Sequence, residues 1–596
     1  MKKITSLFLA LVMTVLSLCA LSSCEKKQQD VGAEISVYLS DEIYDLDPAA
    51  SYTDDNCLLL LSMIYEPLFV LNDKGRLENA AAKDYEIDRD TGDLLIELRE
   101  SYWSTGERVL AKDFVYAWRR ILDPNFSTPA APLLYDIKNA VKIKTGQDGL
   151  LIDDLGVYAL DEKTLRICFE DEDVDVKAFL RNLASVALSP VYQTNVEQGA
   201  EYWAKSANSI YCNGPFKLRQ LNFLHGYLTL GRNDGYHRKD GRERAVDAFV
   251  TPSLVRTLWN TDKNTSDADH LDRMYNFIEE KVVFYVSTMS IKTRQEAEKV
   301  KTEDRLSTYT YAFNTENPLF SDPAVRLVLS QVLSRDDIVE NYVIYGEAAT
   351  GLVPPAVMNH KRRSSFRKEG GDLIDTSATL SIDAANQKLD ELGAIRGSFS
   401  IKYNENHEDE VAIATYVYDT WSQLGYSITL IGVSSVDLVV SDSVYREAGI
   451  QLAYETGDYD VIGIDYQMFS ANAFAGLAAL SSTLNGNGYD LATDTVLGNN
   501  VGWANEDYDT CIADALYEYD AKEKADLLHR AEEILMEQMP VMPLYFKQTY
   551  YVQSRKLKRV EHSYNGFPVF TKAKLKGYQN YFFDDLEAIF FPSEEE

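Results

Sequence analysis

The residues best suited to catalysis or metal binding are scattered through this sequence. Its seven histidines are isolated from one another, and no HExxH or clustered ligand spacing occurs. There is also no GxSxG nucleophile elbow and no phosphate-binding loop that ends in Gly-Lys-Ser/Thr. Carboxylate pairs are so abundant in a chain of net charge −34 that no single pair indicates acid-base catalysis. We therefore expect a protein that is not an enzyme and has no cofactor and no metal site.

The segment Gly486-Asn487-Gly488 contains part of a nucleotide-binding glycine pattern. It lacks the third glycine of GxGxxG, and it does not join a predicted strand to a predicted helix. The sequence therefore favours a glycine-rich surface loop over a phosphate site.

Cys24 is the residue for which the sequence indicates covalent chemistry. The chain begins with MKK, and the apolar run that follows is too short for a confident membrane-spanning helix. That run ends in LSSC, which resembles the end of a bacterial lipoprotein signal. The resemblance implies removal of residues 1–23, acylation of the Cys24 thiol and a flexible tether over residues 24–34. The alternative is an ordinary secretory signal followed by an incidental cysteine.

The other cysteines beyond the signal do not form a recognisable disulfide framework. Cys57, Cys168, Cys212 and Cys511 are far apart, and none belongs to a CxxC pair. Buried free thiols are the favoured interpretation, and one or two bridges remain open for an exported protein.

The charge and hydropathy of the chain exclude several classes of partner. A net charge of −34 argues against nucleic-acid binding and against flat docking on anionic lipid. No stretch beyond the signal has the uninterrupted apolar length that a bilayer requires, so we expect contact with the membrane through the lipid anchor only.

The elements that must position a binding site begin with residues 96–123, IELRESYWSTGERVLAKDFVYAWRRILD. This segment predicts a strand over residues 96–98, a polar turn over residues 104–106 and a helix that starts near Asp113. The helix should end at Asp123, because the residue before a proline is pushed out of the helical region.

Two later segments carry equally ordered patterns. The first consists of NGPFKL at residues 213–218, LTL at residues 228–230 and RNDGY at residues 232–236. Gly214-Pro215 predicts a turn, and the alternating residues that flank it predict strands. Within residues 309–355, Asp322 is a natural N-cap with Pro323 in the first helical position. Ser334 and Asp337 have the spacing of a second capping box.

The order of these motifs resembles the extracellular solute-binding proteins of family 5, the oligopeptide-binding class that serves ATP-driven importers. The resemblance covers the chain from Ile35 to about Tyr551. It implies an α/β fold that is two-lobed and periplasmic-binding-protein-like, with an extra small domain and a hinge between the lobes. From residue 383 onward, predicted helices and strands alternate, which indicates βαβ units and a parallel sheet.

The expected domain organisation follows the same resemblance. Lobe I should comprise residues 35–54, 196–308 and 541–596, and lobe II should comprise residues 309–540. Residues 55–195 should form the extra small β-rich domain.

The resemblance also implies where a ligand would bind. In the family, an extended peptide lies between the lobes and bonds as an added strand. The carried-over ligand-binding residues are Glu42, Ile43 and Tyr44 on one edge, and Asp465, Tyr466, Gln467 and Phe469 on the other. Peptide-binding relatives often have D-Y-x-[DE]-P-x-x-F here, and its first carboxylate pairs with the peptide amino terminus. This chain has Gln467 at that position, and Asp465, two residues earlier, is the alternative partner for the amine.

The function implied by the resemblance is capture of a peptide or other small solute and its delivery to an ABC permease and ATPase. We expect a monomer outside the cytoplasm, lipid-anchored at the outer face of the cell membrane or in the periplasm. Within the same fold, an oligosaccharide or a metal complex is the alternative ligand. An exported hydrolase with dispersed catalytic residues, or a surface receptor or adhesin, is the alternative from another functional class.

Overall fold

The computed structural model describes most of the chain beyond its first 33 residues. The described residues are 34–38, 43, 45–50, 55–199, 202–222, 227–237, 254–258, 284–286, 301–343, 345–377, 380–405, 407–433, 449–553 and 557–575. The expected signal over residues 1–23 lies outside them, as do Cys24, Glu42 and Tyr44.

The described residues form a mixed α/β structure. Its strands are β1 (Glu34–Tyr38), β2 (Phe69–Leu71), β3 (Leu77–Asn79), β4 (Ala82–Ile87), β5 (Leu94–Leu98), β6 (Val157–Ala159), β7 (Thr164–Ile167), β8 (Phe216–Asn222), β9 (Tyr227–Arg232), β10 (Leu254–Leu258), β11 (Phe284–Val286), β12 (Lys301–Phe313), β13 (Gly346–Ala348), β14 (Ser398–Asn404), β15 (Ser427–Val433), β16 (Val461–Gln467), β17 (Tyr489–Asp490), β18 (Thr495–Val496), β19 (Val541–Gln553), β20 (Leu557–Lys558), β21 (Glu561–His562), β22 (Pro568–Val569) and β23 (Lys574–Leu575).

Its helices are α1 (Asp55–Ile64), α2 (Ala111–Leu122), α3 (Ala140–Lys144), α4 (Val176–Asn182), α5 (Gln193–Gly199), α6 (Pro323–Gln331), α7 (Arg335–Asn341), α8 (Phe366–Gly370), α9 (Ile382–Glu391), α10 (Glu408–Ser422), α11 (Ile450–Thr456), α12 (Phe474–Ala478), α13 (Glu506–Tyr517) and α14 (Ala521–Gln538). Short 3-10 helices lie at Ala131–Leu134, Ile152–Asp154 and Val186–Leu188. The described helices include none with the length and hydrophobicity of a membrane-spanning segment.

One large sheet connects distant parts of the sequence. Its strand order is β15-β14-β16-β12-β19-β11-β1-β10-β9-β8, with β13 paired to β19. Strand β14 pairs in parallel with both β15 and β16, which confirms the predicted βαβ units. The sheet as a whole is mixed, because β12 runs antiparallel to both β16 and β19. This pairing places Asp465, Tyr309 and Tyr545 in one row across three strands.

The segment over residues 96–123 is a structural core rather than a site. Helix α2 begins two residues before Asp113, because that carboxylate occupies the third helical position and accepts a hydrogen bond from Leu110 N at 2.9 Å. The same carboxylate accepts a bond from Trp103 Nε1 at 3.2 Å, and Trp118 Nε1 donates to Leu188 O at 3.0 Å. Both indoles are fully buried, so the motif fixes α2 on its neighbours.

Two of the sequence motifs are joined to more distant segments by buried polar contacts. Arg120, at the end of α2, pairs with Asp47 through both carboxylate oxygens, with Nη1 3.0 Å from Oδ1. Asn213 accepts a hydrogen bond from Glu66 N at 3.0 Å and donates to Glu66 O at 2.8 Å. Gly214 packs so closely on Ile64 that an added Cβ would lie 2.6 Å from the Ile64 backbone. These motifs therefore hold the chain together around α1.

The predicted helix caps of the second half are confirmed. Asp322 accepts a hydrogen bond from Ala324 N at 2.8 Å, and Ser334 accepts one from Asp337 N at 3.1 Å. Trp421 on α10 is fully buried and donates to Leu329 O at 3.0 Å, as expected for a core residue. The four cysteines considered above are all free thiols, two of them buried and two half-buried.

Candidate ligand-binding site

A cavity of about 600 Å³ lies where α1, the end of β16 and the chain around β21 meet. Its wall includes Ser62 of α1 and Glu66 just beyond that helix. Gln467 and Phe469 come from the end of β16, and His562 and Tyr564 come from the chain around β21. Pockets of this size hold small organic ligands, and concave sites with a few placed polar groups are typical of binding proteins.

The structure separates the residues that the sequence grouped together along β16. Gln467 and Phe469 line the cavity, and Phe469 has a left-handed backbone with φ of 60°, where the strand ends. Tyr466 points to the other face of the sheet, where its hydroxyl donates to Gly476 O at 2.6 Å. Asp465 and Ile43 are not part of the cavity wall, and Ile43 is buried in the core.

Asp55, at the start of α1, is held by two side chains from the large sheet. Gln467 Nε2 donates to Asp55 Oδ1 at 2.9 Å, and Arg305 Nη2 lies 2.6 Å from the same oxygen. Burial opposes ionisation of Asp55, but the positive charges of Arg305 and then Lys547 outweigh it and lower the pKa of this carboxyl. Asp55 is therefore a charged acceptor behind the cavity wall, in contact with the lining residue Gln467.

Asp465, the alternative partner for a ligand amine, is already engaged by the protein. Lys547 on β19 forms an ion pair with it, and Lys547 Nζ also lies 3.7 Å from Asp55 Oδ2. Burial disfavours the ammonium form, yet Asp465 and Asp55 together raise the pKa of Lys547 above its usual value. The other oxygen of Asp465 is buried and accepts no hydrogen bond from the described residues.

A second group of polar side chains borders this network at the start of α10. His407 Nδ1 lies 2.7 Å from Glu410 Oε1, and Tyr309 donates to Glu410 Oε2 at 3.1 Å. Tyr545 donates to Asp409 Oδ2 at 3.2 Å, and burial raises the pKa of Asp409. Each carboxylate of this group thus has a partner within the protein.

The remaining cavity wall is acidic. Its carboxylates are Glu66, Asp73, Glu78, Glu303 and Glu561, and its cationic side chains are Arg181 and Lys572. His562 adds no positive charge near neutral pH, because burial lowers its pKa to about 4. No group of three or more His, Cys, Asp and Glu side chains in the described part of the chain has the geometry of a metal site.

Sequence reasoning missed three residues of this site: Asp55, Arg305 and Lys547. Asp55 and Arg305 are 250 positions apart, and Lys547 and Asp465 are 82 positions apart. Each of the three belongs to an element with an unremarkable local pattern. The pairing of β12 with β16 and β19 brings Arg305 and Lys547 together, and the contact of α1 with these strands adds Asp55. No local signal specifies either arrangement.

The glycine segment is not the open surface loop that the sequence favoured. Gly486 and Gly488 are buried against residues 124–128, and both have positive φ. Thr128 N donates to Gly486 O at 3.1 Å, and Tyr489 N donates to Pro124 O at 3.0 Å. An added Cβ at Gly488 would lie 1.9 Å from Pro124 O, so only glycine fits this contact.

Known proteins with similar sequences include several peptide-binding proteins and a probable deoxycholate-binding periplasmic protein of Escherichia coli. The oligopeptide-binding protein OppA of Bacillus subtilis is 26% identical over 577 residues, which cover 94% of this chain and 97% of OppA. The dipeptide-binding protein DppE of the same organism is 25% identical and covers 84% of each chain.

Solved structures establish the two-lobed fold. Listeria monocytogenes OppA bound to peptide has a TM-score of 0.74 at 20% identity, covering 91% of this chain and 99% of that protein. The murein tripeptide binding protein MppA of Escherichia coli has a TM-score of 0.71 at 24% identity, covering 91% and 98%. The unliganded open form of MppA has a TM-score of only 0.53 with this chain. The arrangement of this chain is thus less similar to that open form than to the other MppA structure.

The family model described as "Bacterial extracellular solute-binding proteins, family 5 Middle" matches residues 76–488, which is more than half of the chain. The match includes the strand and helix of residues 96–123, the Asn213 turn and the β16 segment that lines the cavity. Together with the two-lobed α/β fold, it shows that this chain belongs to the bacterial extracellular solute-binding proteins of family 5.

Proposed function

We propose that this protein is the substrate-binding subunit of an ABC importer and that it captures an extended peptide between its two lobes. The bound, closed form would then deliver the peptide to a membrane permease and its ATPase. The observation that carries the proposal is the position of Gln467 and Phe469. Both lie at the end of β16, and both line the cavity that faces α1.

The character of the cavity supports a polar, extended ligand. Its wall contains carboxylates, amides and aromatic rings, so a peptide could place its polar backbone and its side chains against matching groups. Water can fill the remaining space and relay hydrogen bonds to side chains of different sizes. The proposal involves no covalent step.

The proposed binding surface has two edges. Gln467 and Phe469 form one of them. The backbone of Glu42, Ile43 and Tyr44 would supply the other, since the side chain of Ile43 is buried in the core. Asp465 acts on this surface indirectly, since it fixes Lys547 beside Asp55. Lobe I comprises residues 35–54, 196–308 and 541–596, lobe II comprises residues 309–540, and residues 55–195 are the small domain.

Anchoring through Cys24 completes the proposal. A diacylated cysteine followed by a polar tether would keep a monomeric binding protein at the outer face of the cell membrane, close to its permease. Mass spectrometry of the amino-terminal peptide of the protein from its native membrane tests this directly. We expect a lipid-modified Cys24 at the amino terminus, and an unmodified Cys24 would contradict the anchor.

A thermal-unfolding screen tests the ligand class. The purified protein is heated with pools of short peptides, oligosaccharides or nickel complexes. A ligand that binds only the folded state adds about 2.7 kcal/mol when present at about 100 times its dissociation constant. We expect the peptide pools to raise the melting temperature. A rise with another pool alone would keep the fold and overturn the peptide as substrate.

A further inference from the structure

The charged side chains in the network beside Gln467 are already paired within the protein, in contrast to the acidic remainder of the cavity wall. Asp55 receives Arg305 at 2.6 Å, and Asp465 receives Lys547 in an ion pair. These two carboxylates and two cations form a quartet with no net charge. Gln467, the member of this neighbourhood that reaches the cavity wall, is itself neutral.

The hydrogen bonds of Gln467 fix which of its atoms a ligand would meet. Its Nε2 is committed to Asp55 Oδ1 at 2.9 Å, which leaves Oε1 as the acceptor. Among the described residues, no donor binds that oxygen. A neutral carbonyl oxygen can accept one N–H of a ligand, whether the N–H belongs to an amide or to an ammonium group.

This arrangement would stabilise the positive charge of a bound ammonium group much less than an uncompensated carboxylate would. Removal of an ammonium from water is costly unless a counter-charge replaces the water. Arg305 and Lys547 already neutralise Asp55 and Asp465, and neither carboxylate lines the cavity; the Oδ1 of Asp465, which has no hydrogen-bond partner among the described residues, is buried away from its wall. Farther along the same network, Glu410 contacts the ring nitrogen of His407, and Asp409 accepts a hydrogen bond from the hydroxyl of Tyr545.

We propose that the ligand group bound beside Gln467 is uncharged, so that the protein accepts peptides with an acylated or otherwise neutral amino terminus at least as readily as free-amine peptides. This inference rests on the proposed peptide-binding function. It assigns to Gln467 the role of a specificity-determining residue that contacts the ligand through a neutral acceptor.

A competition experiment with the wild-type protein tests the inference. Equimolar pools of random tetrapeptides, one with free amines and one N-acetylated, are mixed and incubated with the purified chain. The retained peptides are released by denaturation and counted by mass spectrometry. We expect the acetylated peptides to be retained equally or in excess. A tenfold or greater enrichment of free amines would overturn the inference and leave the proposed function intact.

Retention of neither pool would overturn the proposed function and, with it, this inference. A charge-introducing variant sharpens the result. Gln467→Glu replaces the amide that donates to Asp55 with a carboxyl group and so adds a net negative charge beside the cavity, and retention should shift at least tenfold toward free amines. Gln331→Glu, at an exposed position at the end of α6, is the matched control and should leave the ratio unchanged. An unchanged ratio in a folded Gln467→Glu variant would also contradict the assignment.

Discussion

Removal of the Arg120 side-chain charge should destabilise the protein severely. Arg120 is 18% exposed and Asp47 is 6% exposed, and they are joined by paired hydrogen bonds. Arg120→Met would leave the Asp47 carboxylate buried without its cation. Loss of one partner of a buried ion pair costs about 3–5 kcal/mol. We expect this decrease in the free energy of unfolding, whereas the affinity for ligand should be retained in the folded fraction.

Urea unfolding, followed by circular dichroism, measures the effect. The matched control is Lys522→Met, which breaks an exposed pair with Asp526 and should cost less than about 0.5 kcal/mol. In the double variant, Asp47→Asn should recover part of the loss, because it removes the uncompensated charge. If Arg120→Met lowers the free energy of unfolding no more than Lys522→Met does, the Arg120–Asp47 ion pair does not stabilise the fold.

Two further perturbations test other parts of the structure. Gly488→Ala should push the loop away from Pro124 O and speed hydrogen exchange of the Tyr489 amide by roughly tenfold, which corresponds to the net loss of about one hydrogen bond. Gly498→Ala, where an added Cβ meets no atom within 4 Å, is the control, and equal exchange in both variants would refute the close contact. The pKa of His562 falls from 6.5 to about 4 on folding, so the unfolded chain takes up this proton first as the pH decreases. Between pH 6.5 and pH 4, the free energy of unfolding of the wild-type protein should therefore decrease by about 2 kcal/mol more than that of His562→Gln, a figure that allows for the solvent contact of the ring. Urea unfolding at several pH values measures this difference, and an equal decrease in both proteins would contradict it.

Local sequence patterns were sufficient for the elements whose start and end depend on their own residues. Helix α2 follows from its apolar spacing and from the proline after Asp123, and α6 follows from its cap at Asp322, which accepts a hydrogen bond from Ala324 N. The parallel pairing of β14 and β15 follows from their alternation with α10.

The mixed sheet and the charge network required the structure. Strand β19 pairs with β12, β11 and β13, and no periodicity in its sequence distinguishes these partners. The resemblance placed Asp465 near a ligand amine, but it could not show that Lys547, on another strand, pairs with that carboxylate. Similarly, the glycines of residues 486–488 indicated only a surface loop, which was wrong. Their close contact with Pro124 depends on long-range packing.

Calorimetric titration with a peptide identified in the thermal screen tests whether the ligand occupies the cavity beside Gln467. Ser62→Trp places a large ring in the cavity wall, and Thr415→Trp, at an exposed position on α10, is the matched control. We predict at least a tenfold weaker dissociation constant for Ser62→Trp and an unchanged one for Thr415→Trp. Equal affinity of the wild-type protein and a folded Ser62→Trp variant would place the ligand elsewhere and contradict the account.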